Sequence, residues 1–296
     1  MQYPEDKSPV KAVLVPVQPP STLPGANILL IGPAGSGKTH SIGTLVDSGV
    51  EVFFLGLEAG MESLFGYWKD KGKEIPNNLH WHTLAAPKAS FTDMLDSAKA
   101  INMLSLEALA KQVDPNRGKH NRFISLLEAL NNFPDDRTGQ KFGAVNTWGP
   151  NKALVIDGMT GVNNCAMSLV IGGKPVRSQS DWGIAQDQVE KLIRMLCDGC
   201  SCHFVILAHV ERETDMVMGG TKLMVASLGK ALAPKLPPMF SDVILCVRDG
   251  GNKWTWDTGT PLADVKARNM PFASGQAADF GPLIKKWQSR GGSLEA

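Results

Sequence analysis

The sequence predicts an α/β protein in which a mostly parallel, twisted sheet is flanked by helices. Three observations carry that expectation. From Ala26 onward, short β-branched runs alternate with helix-period patterns. Several of those runs are apolar without alternation, as strands buried on both faces must be. A glycine-rich loop, GPAGSGKT, lies directly between the first run and the first helical pattern.

Taken in order, the chain begins with an arm over residues 1–24 that carries Pro4, Pro9, Pro16, Pro19, Pro20 and Pro24 and so builds neither helix nor central strand. Its short apolar run from Ala12 to Val15 reads as a loosely docked leader, with addition to a sheet edge as the alternative. A main domain follows over residues 25–280. Its expected strands are Asn27 to Ile31, Val50 to Leu57, Leu79 to Leu84, Ala153 to Ile156, His203 to Ala208 and Asp242 to Val247. Between about 90 and 150 the strand rhythm stops. Two helical patterns, Ser90 to Lys111 and Asn121 to Asn132, followed by a Gly- and Asp-containing loop, make this a helical insertion. Toward the C-terminus two β-hairpins are expected, one over Glu213 to Ser227 turning at Gly219-Gly220, and one over Lys253 to Arg268 turning near Gly259. The tail, 281–296, predicts a short helix followed by disorder. There is no internal repeat or low-complexity tract.

Composition narrows the function classes. Of 296 residues, 30 are Lys or Arg and 29 Asp or Glu, so the net charge of +1 excludes a tail-driven or histone-like nucleic-acid binder. Apolar runs fall short of the roughly 18 to 20 residues that a membrane span needs. The first residues lack a secretory pattern, which leads to an expected cytoplasmic location and to five cysteines held as thiols.

The strongest chemical signal is the P-loop Gly32-Pro33-Ala34-Gly35-Ser36-Gly37-Lys38-Thr39. Its glycines let the backbone wrap phosphates and aim successive N–H groups at them, and the following helix adds its positive end. Lys38 is placed to hold the β- and γ-phosphates and Thr39 to offer a hydroxyl to Mg²⁺. The apolar run Ala153-Leu154-Val155-Ile156-Asp157 ends in a carboxylate, as a strand does that sets an acid beside that metal. Gly158 follows it, so a water-activating carboxylate must come from another strand. Glu58, ending the strand Val50 to Leu57, is the candidate; capping the helix that starts near Gly60 is the alternative. The chain lacks the NKxD motif of many GTPases, which favours ATP.

In this order of motifs the chain resembles the RecA-like P-loop ATPase core, and within it the phage-encoded nucleotide-binding proteins of single-strand annealing and recombination. GPAGSGKT matches the family P-loop, FFLGLEAG the strand whose terminal Glu activates water, and ALVIDG the metal-binding strand. Asp181-Trp182-Gly183 leads a long helix. Phe204-Val205-Ile206-Leu207-Ala208-His209 resembles the strand tipped by a polar nucleotide sensor, and Val265-Lys266-Ala267-Arg268-Asn269 the cationic strand near the C-terminus. The resemblance omits the leader, the insertion and the tail. It implies that His209, where RecA has glutamine, reports the γ-phosphate. It also implies that Lys266 and Arg268 reach a neighbouring subunit's nucleotide in a ring or filament.

DNA contact is expected from Lys174 and Arg177 in the loop Gly172 to Asp181, and from Arg212 and Lys222 near the first hairpin. A basic group in the insertion, Arg117, Lys119, His120 and Arg122, reads either as a nucleic-acid channel or as a solvated surface. Trp254 and Trp256 either stack bases or pack on the core. Cys197, Cys200, Cys202 and His203 are four possible zinc ligands, but Cys202 and His203 fall on opposite faces of a buried strand and a structural reading is preferred.

The expected function is therefore an ATP- and Mg²⁺-dependent, self-associating ATPase. It would act on single-stranded DNA in phage-type recombination, annealing or replication, alongside phage or host recombination or replication proteins and, if phage-encoded, in the bacterial host cytoplasm. The rival is a nucleotide-gated assembly or partner-binding module with slow or no hydrolysis and no DNA role. A third reading, a small-molecule kinase, lacks an identifiable arginine-bearing lid.

Overall fold

A computed structural model describes residues 23–84, 90–111, 121–172, 174, 176–214, 219–251 and 253–295. Residues 1–22 of the leader, with the run Ala12 to Val15, and the basic residues Arg117, Lys119 and His120 lie outside them.

The six expected parallel strands form: β1 (Asn27–Ile31), β2 (Glu51–Gly56), β3 (Leu79–Thr83), β4 (Lys152–Asp157), β5 (His203–Ala208) and β8 (Asp242–Arg248). They lie in the order β8-β1-β5-β4-β2-β3, so β5 separates the P-loop strand from the strand that ends in Asp157. Because all six are parallel, their C-terminal ends share one edge, and the loops that leave that edge build the site.

Residue alternation along these strands feeds two helical layers. Leu29, Ile31, Phe53, Leu55, Leu154, Ile156, Phe204 and Ile206 face the layer of α5 (Arg122–Asn131), α6 (Met159–Ile171) and α7 (Gln179–Asp198). Their neighbours Ile28, Leu30, Val52, Phe54, Val155 and Val205 face α1 (Lys38–Asp47), α2 (Met61–Lys69) and α9 (Gly281–Gln288). All fourteen are essentially inaccessible to solvent, and each such side chain contributes about 1.5–3 kcal/mol of burial. The continuous apolar runs in the sequence have this cause: both faces are covered.

The insertion divides in two. α3 (Phe91–Met103), capped by Ser90, and α4 (Leu106–Ala110), capped by Ser105, bury no residue, and Phe91, Met94, Met103 and Leu106 are exposed. α5, by contrast, buries Phe123, Leu126, Ala129 and Leu130 against α6 and belongs to the core. After α5, Asp135 and Asp136 bind the edge strand β3 through His80 and His82.

Two expectations are corrected at the C-terminal side. The first hairpin is present but begins earlier: β6 (Val210–Thr214) pairs with β7 (Thr221–Val225), and part of its turn, 215–218, lies outside the described residues. The second hairpin does not form. β9 (Trp254–Asp257) pairs with the C-terminal half of β8 and with β11 (Gln276–Ala277), whereas β10 (Lys266–Ala267) pairs with the start of β8, so the two never meet. The edge of β8 takes four residues of β9 at one end and two of β10 at the other. The tail forms the expected short helix, α9, which buries Leu283, Ile284 and Trp287, but beyond it Leu294 packs on the same layer where disorder was expected. No helix among the described residues is long and apolar enough to cross a membrane.

Candidate functional site

The loop between β1 and α1 supplies the floor of the site. Gly35 and Gly37 have φ of 74° and 81°, a left-handed conformation that disfavours side chains, and a Cβ on Gly37 would strike the Trp254 indole at 2.6 Å. α1 has no side-chain N-cap and no acid in its first turn. Its first amides are therefore left for an anion, with the helix dipole behind them.

Lys38 is buried inside the loop, where its ammonium donates to the carbonyls of Gly32 at 2.8 Å and Pro33 at 2.9 Å. Burial pulls its pKa below the ordinary lysine value, with Cys246, Asp157 and Glu58 acting the other way. Desolvated positive charge at a phosphate-sized loop is what an anion would relieve.

Thr39, next on α1, donates its hydroxyl to Asp157 Oδ2 at 2.8 Å. Burial pushes the Asp157 carboxyl up to about 6; the Thr39 hydrogen bond and Lys38 oppose that shift and Glu58 adds to it. A half-buried carboxylate with a single side-chain donor, the Thr39 hydroxyl, suits a hard divalent cation, which prefers oxygen ligands. Thr39 and Asp157 are thus the residues that would hold Mg²⁺, whose chemistry is to neutralise phosphate charge. Among the described residues no group of three or more His, Cys, Asp and Glu forms a metal cage, and a phosphate-bound Mg²⁺ does not require one.

Glu58, at the end of β2, turns one carboxylate oxygen to the Gly161 amide at 2.8 Å in the first turn of α6. It therefore caps a helix, but that helix is α6 rather than the one starting near Gly60. Its second oxygen lies 3.9 Å from His209 Nε2. His209 sits between β5 and β6, and its carbonyl accepts from Ala226 just beyond β7, which ties the tip of β5 to the ribbon. The cleft of about 330 Å³ brings together Ala34 to Thr39, Glu58, Asp157 and His209. The sequence motifs point to all of these but not to five other lining residues, His40, Ala59, Gly60, Ser63 and Trp254. The available signal was the Trp254-x-Trp256 spacing, which puts both indoles on one strand face. Trp256 is buried against Phe280, whereas Trp254, beyond the protection of α9, covers the P-loop.

Lys266 and Arg268 are not brought to this cleft. β10 lies at the N-terminal end of β8, across the sheet from the P-loop edge. Lys266 donates to the carbonyls of Phe240 at 2.6 Å and Pro238 at 3.3 Å, while the Arg268 guanidinium is exposed. Of the cations considered for DNA, Lys222 pairs with Asp264 at 2.6 Å and Arg177 lies over the Trp182 ring. Arg212 is exposed on β6. Arg122 departs from the expectation of a basic channel: it is half-buried and ties α5 to the strand ends by donating to Leu57 O and Leu84 O. The cysteines behave as structural groups. Cys202 belongs to the α5–α7 layer, while His203 points the other way, accepts from the Ala26 amide and meets the Trp287 ring.

No curated protein matches the chain in sequence. Among solved structures it is similar to the RadB recombinase, at 14% identity and TM-score 0.34, covering 85% of this chain and 86% of that one. It is also similar to an ATPase from the type III secretion system of pathogenic bacteria, at 13% identity and TM-score 0.34, covering 76% of this chain but only 52% of that one. A third likeness is to the flagellar accessory protein FlaH of Methanocaldococcus jannaschii, at 10% identity and TM-score 0.32, covering 79% and 78%. At these scores the likenesses carry no functional argument. A protein-family match does: it spans residues 25–268, from the strand before the P-loop through β10, and by it the chain belongs to the AAA domain family.

Proposed function

We propose that this chain is a Mg²⁺-dependent ATPase with a RecA-like core that acts on single-stranded DNA in phage-type recombination, annealing or replication. The observation that carries the nucleotide chemistry is the Thr39–Asp157 hydrogen bond at 2.8 Å, formed across 118 residues of sequence beside a complete P-loop. Lys38 and the loop amides hold the β- and γ-phosphates. Thr39 and Asp157 bind the metal, and Glu58 orients the attacking water with the oxygen not given to Gly161. His209, near Glu58 and tied to the β6–β7 ribbon, passes the state of the γ-phosphate to the segment carrying Arg212 and Lys222.

In this reading the protein self-associates in a ring or filament with ATP between subunits. Arg268, exposed and remote from its own P-loop, completes the neighbour's site. Lys266 joins it only by leaving its two carbonyl partners.

The second reading, a nucleotide-gated module that binds a protein partner, is favoured by one set of observations. Lys222 and Arg122, two of the cations considered for DNA, are committed to internal contacts, and the net charge is only +1. Phosphate release from Mg·ATP, measured with and without single-stranded DNA at low salt, separates the two. DNA stimulation that disappears in Glu58→Gln supports the DNA-acting ATPase. Hydrolysis indifferent to DNA overturns the DNA role and leaves the partner-binding module.

A further inference from the structure

Beside the phosphate cleft is a second concavity that the chemistry above does not use. It has a volume of about 340 Å³ and shares Gly37, His40 and Trp254 with the cleft, so the two adjoin at the N-terminus of α1. Its wall is a run of three aromatic rings. Trp254 meets His40 at 4.6 Å between centroids, and His40 meets Tyr67 of α2 at 5.1 Å. The floor is the side of α1 from Gly37 to Thr44, and the opposite rim is Ala277 and Ala278.

The polar atoms of the floor are already engaged. Ser41 Oγ donates to Lys38 O, and Thr44 Oγ1 donates to Ser41 O while accepting the Phe280 amide. Apart from the exposed Lys253 at its rim, the concavity offers ring faces and methyl groups, which suits a flat heterocycle. Trp254 is itself suited to be one face of such a sandwich. It is 37% exposed, yet its indole N–H is held by Gly35 O at 3.0 Å, so the ring is oriented without being buried. Its strand neighbour of the same face, Trp256, is fully buried and takes no part.

We infer that this concavity receives the nucleobase of the bound nucleotide, with Trp254 as its stacking face and His40 and Tyr67 as the adjoining wall. The inference rests on the nucleotide reading of the P-loop. Of the two expectations for Trp254, base stacking thus applies to the nucleotide's own base, and core packing applies to Trp256. Stacking of a base on an aromatic ring corresponds to about tenfold or more in affinity. The indole also braces the P-loop, so the informative quantity is the ratio of affinities for a ligand with a base and one without.

The experiment is calorimetric titration of the full chain with Mg·ATP and with Mg·tripolyphosphate, in wild type, Trp254→Ala and Trp254→Phe. The expected result is that Trp254→Ala lowers the ATP-to-tripolyphosphate affinity ratio about tenfold, while Trp254→Phe, which keeps a ring but loses the Gly35 hydrogen bond, restores most of it. An unchanged ratio in Trp254→Ala overturns the inference and leaves Trp254 as a brace of the loop. Should that variant fail to fold, Trp254→Phe together with His40→Ala decides: a ratio unchanged in His40→Ala and lowered in Trp254→Phe attributes the effect to the hydrogen bond and overturns stacking. Wild-type protein that binds neither ligand overturns the nucleotide reading itself, and the inference with it.

Discussion

Two aspartates stand at opposite edges of the same sheet, and their surroundings differ. Asp242, at the start of β8, is fully buried and receives three N–H donors, the amides of Arg268 and Asn269 and the Asn269 side-chain amide, at 2.7 to 2.8 Å, with the Ser241 hydroxyl shared between it and Asn27 O. Asp157, at the end of β4, receives one side-chain donor, Thr39, in an environment that pushes its pKa up to about 6. A buried carboxylate whose hydrogen-bonding capacity is filled by protein holds structure together. A half-buried one left mostly unfilled, near Lys38 and Glu58, has capacity for a cation that arrives with the ligand. The N-terminal edge of this sheet is therefore a structural clasp, and the C-terminal edge carries the candidate site.

The largest expected difference is in turnover. Asp157→Asn and Lys38→Ala each reduce Mg²⁺-dependent phosphate release by ~100-fold or more while the far-ultraviolet circular dichroism stays native. Loss of the folded signal in either variant would break the comparison. Next is stability: Asp242→Ala strands several buried donors and lowers the unfolding free energy in urea by about 3 kcal/mol. A loss below about 1 kcal/mol would show that water replaces the carboxylate and that the clasp is dispensable.

The pH dependence sharpens the contrast further. A carboxyl whose folded pKa is raised from the ordinary 3.8 to about 6 binds more protons in the folded state than in the unfolded one. Its contribution to stability is therefore greatest in acid and is lost as pH rises from about 4 to about 6. In the nucleotide-free protein Asp157→Asn removes that slope and raises stability at pH 7 by about 1–3 kcal/mol, measured by denaturant unfolding across the pH range. A variant less stable than wild type at pH 7 would contradict the unfilled character of this carboxylate. The smallest effect belongs to Glu58→Gln. The amide oxygen still accepts from Gly161, so stability changes by less than about 1 kcal/mol while turnover falls. A large loss of stability would make Glu58 a cap of α6 and nothing more.

Much of this was legible in the residues themselves. β1 and β5 match their apolar runs residue for residue, and the P-loop, Asp157, Glu58 and His209 meet in one cleft as their motif order suggests. The failures share a cause. β9 and β10 carry the alternation of a hairpin, yet each pairs with a different half of β8, because the free edge of a distant strand outcompetes a local turn. Arg122 has the composition of a surface charge and is instead a tie between two strand ends. α3 and α5 show the same helical period, and only α5 finds a surface, on α6.

By itself the sequence determined the parallel α/β class and the phosphate loop, and it singled out Asp157 and Glu58 as the carboxylates that meet that loop. These depend on local spacing and on strands whose two covered faces demand unbroken apolar runs. Tertiary structure alone decided which carboxylate is filled and which is open, and which of two tryptophans is core and which lines a pocket. It also set Lys266 and Arg268 at the edge away from their own P-loop. Those outcomes depend on donors and neighbours brought from far along the chain, such as Asn269 to Asp242 and Trp254 to Gly35, and no local pattern encodes them.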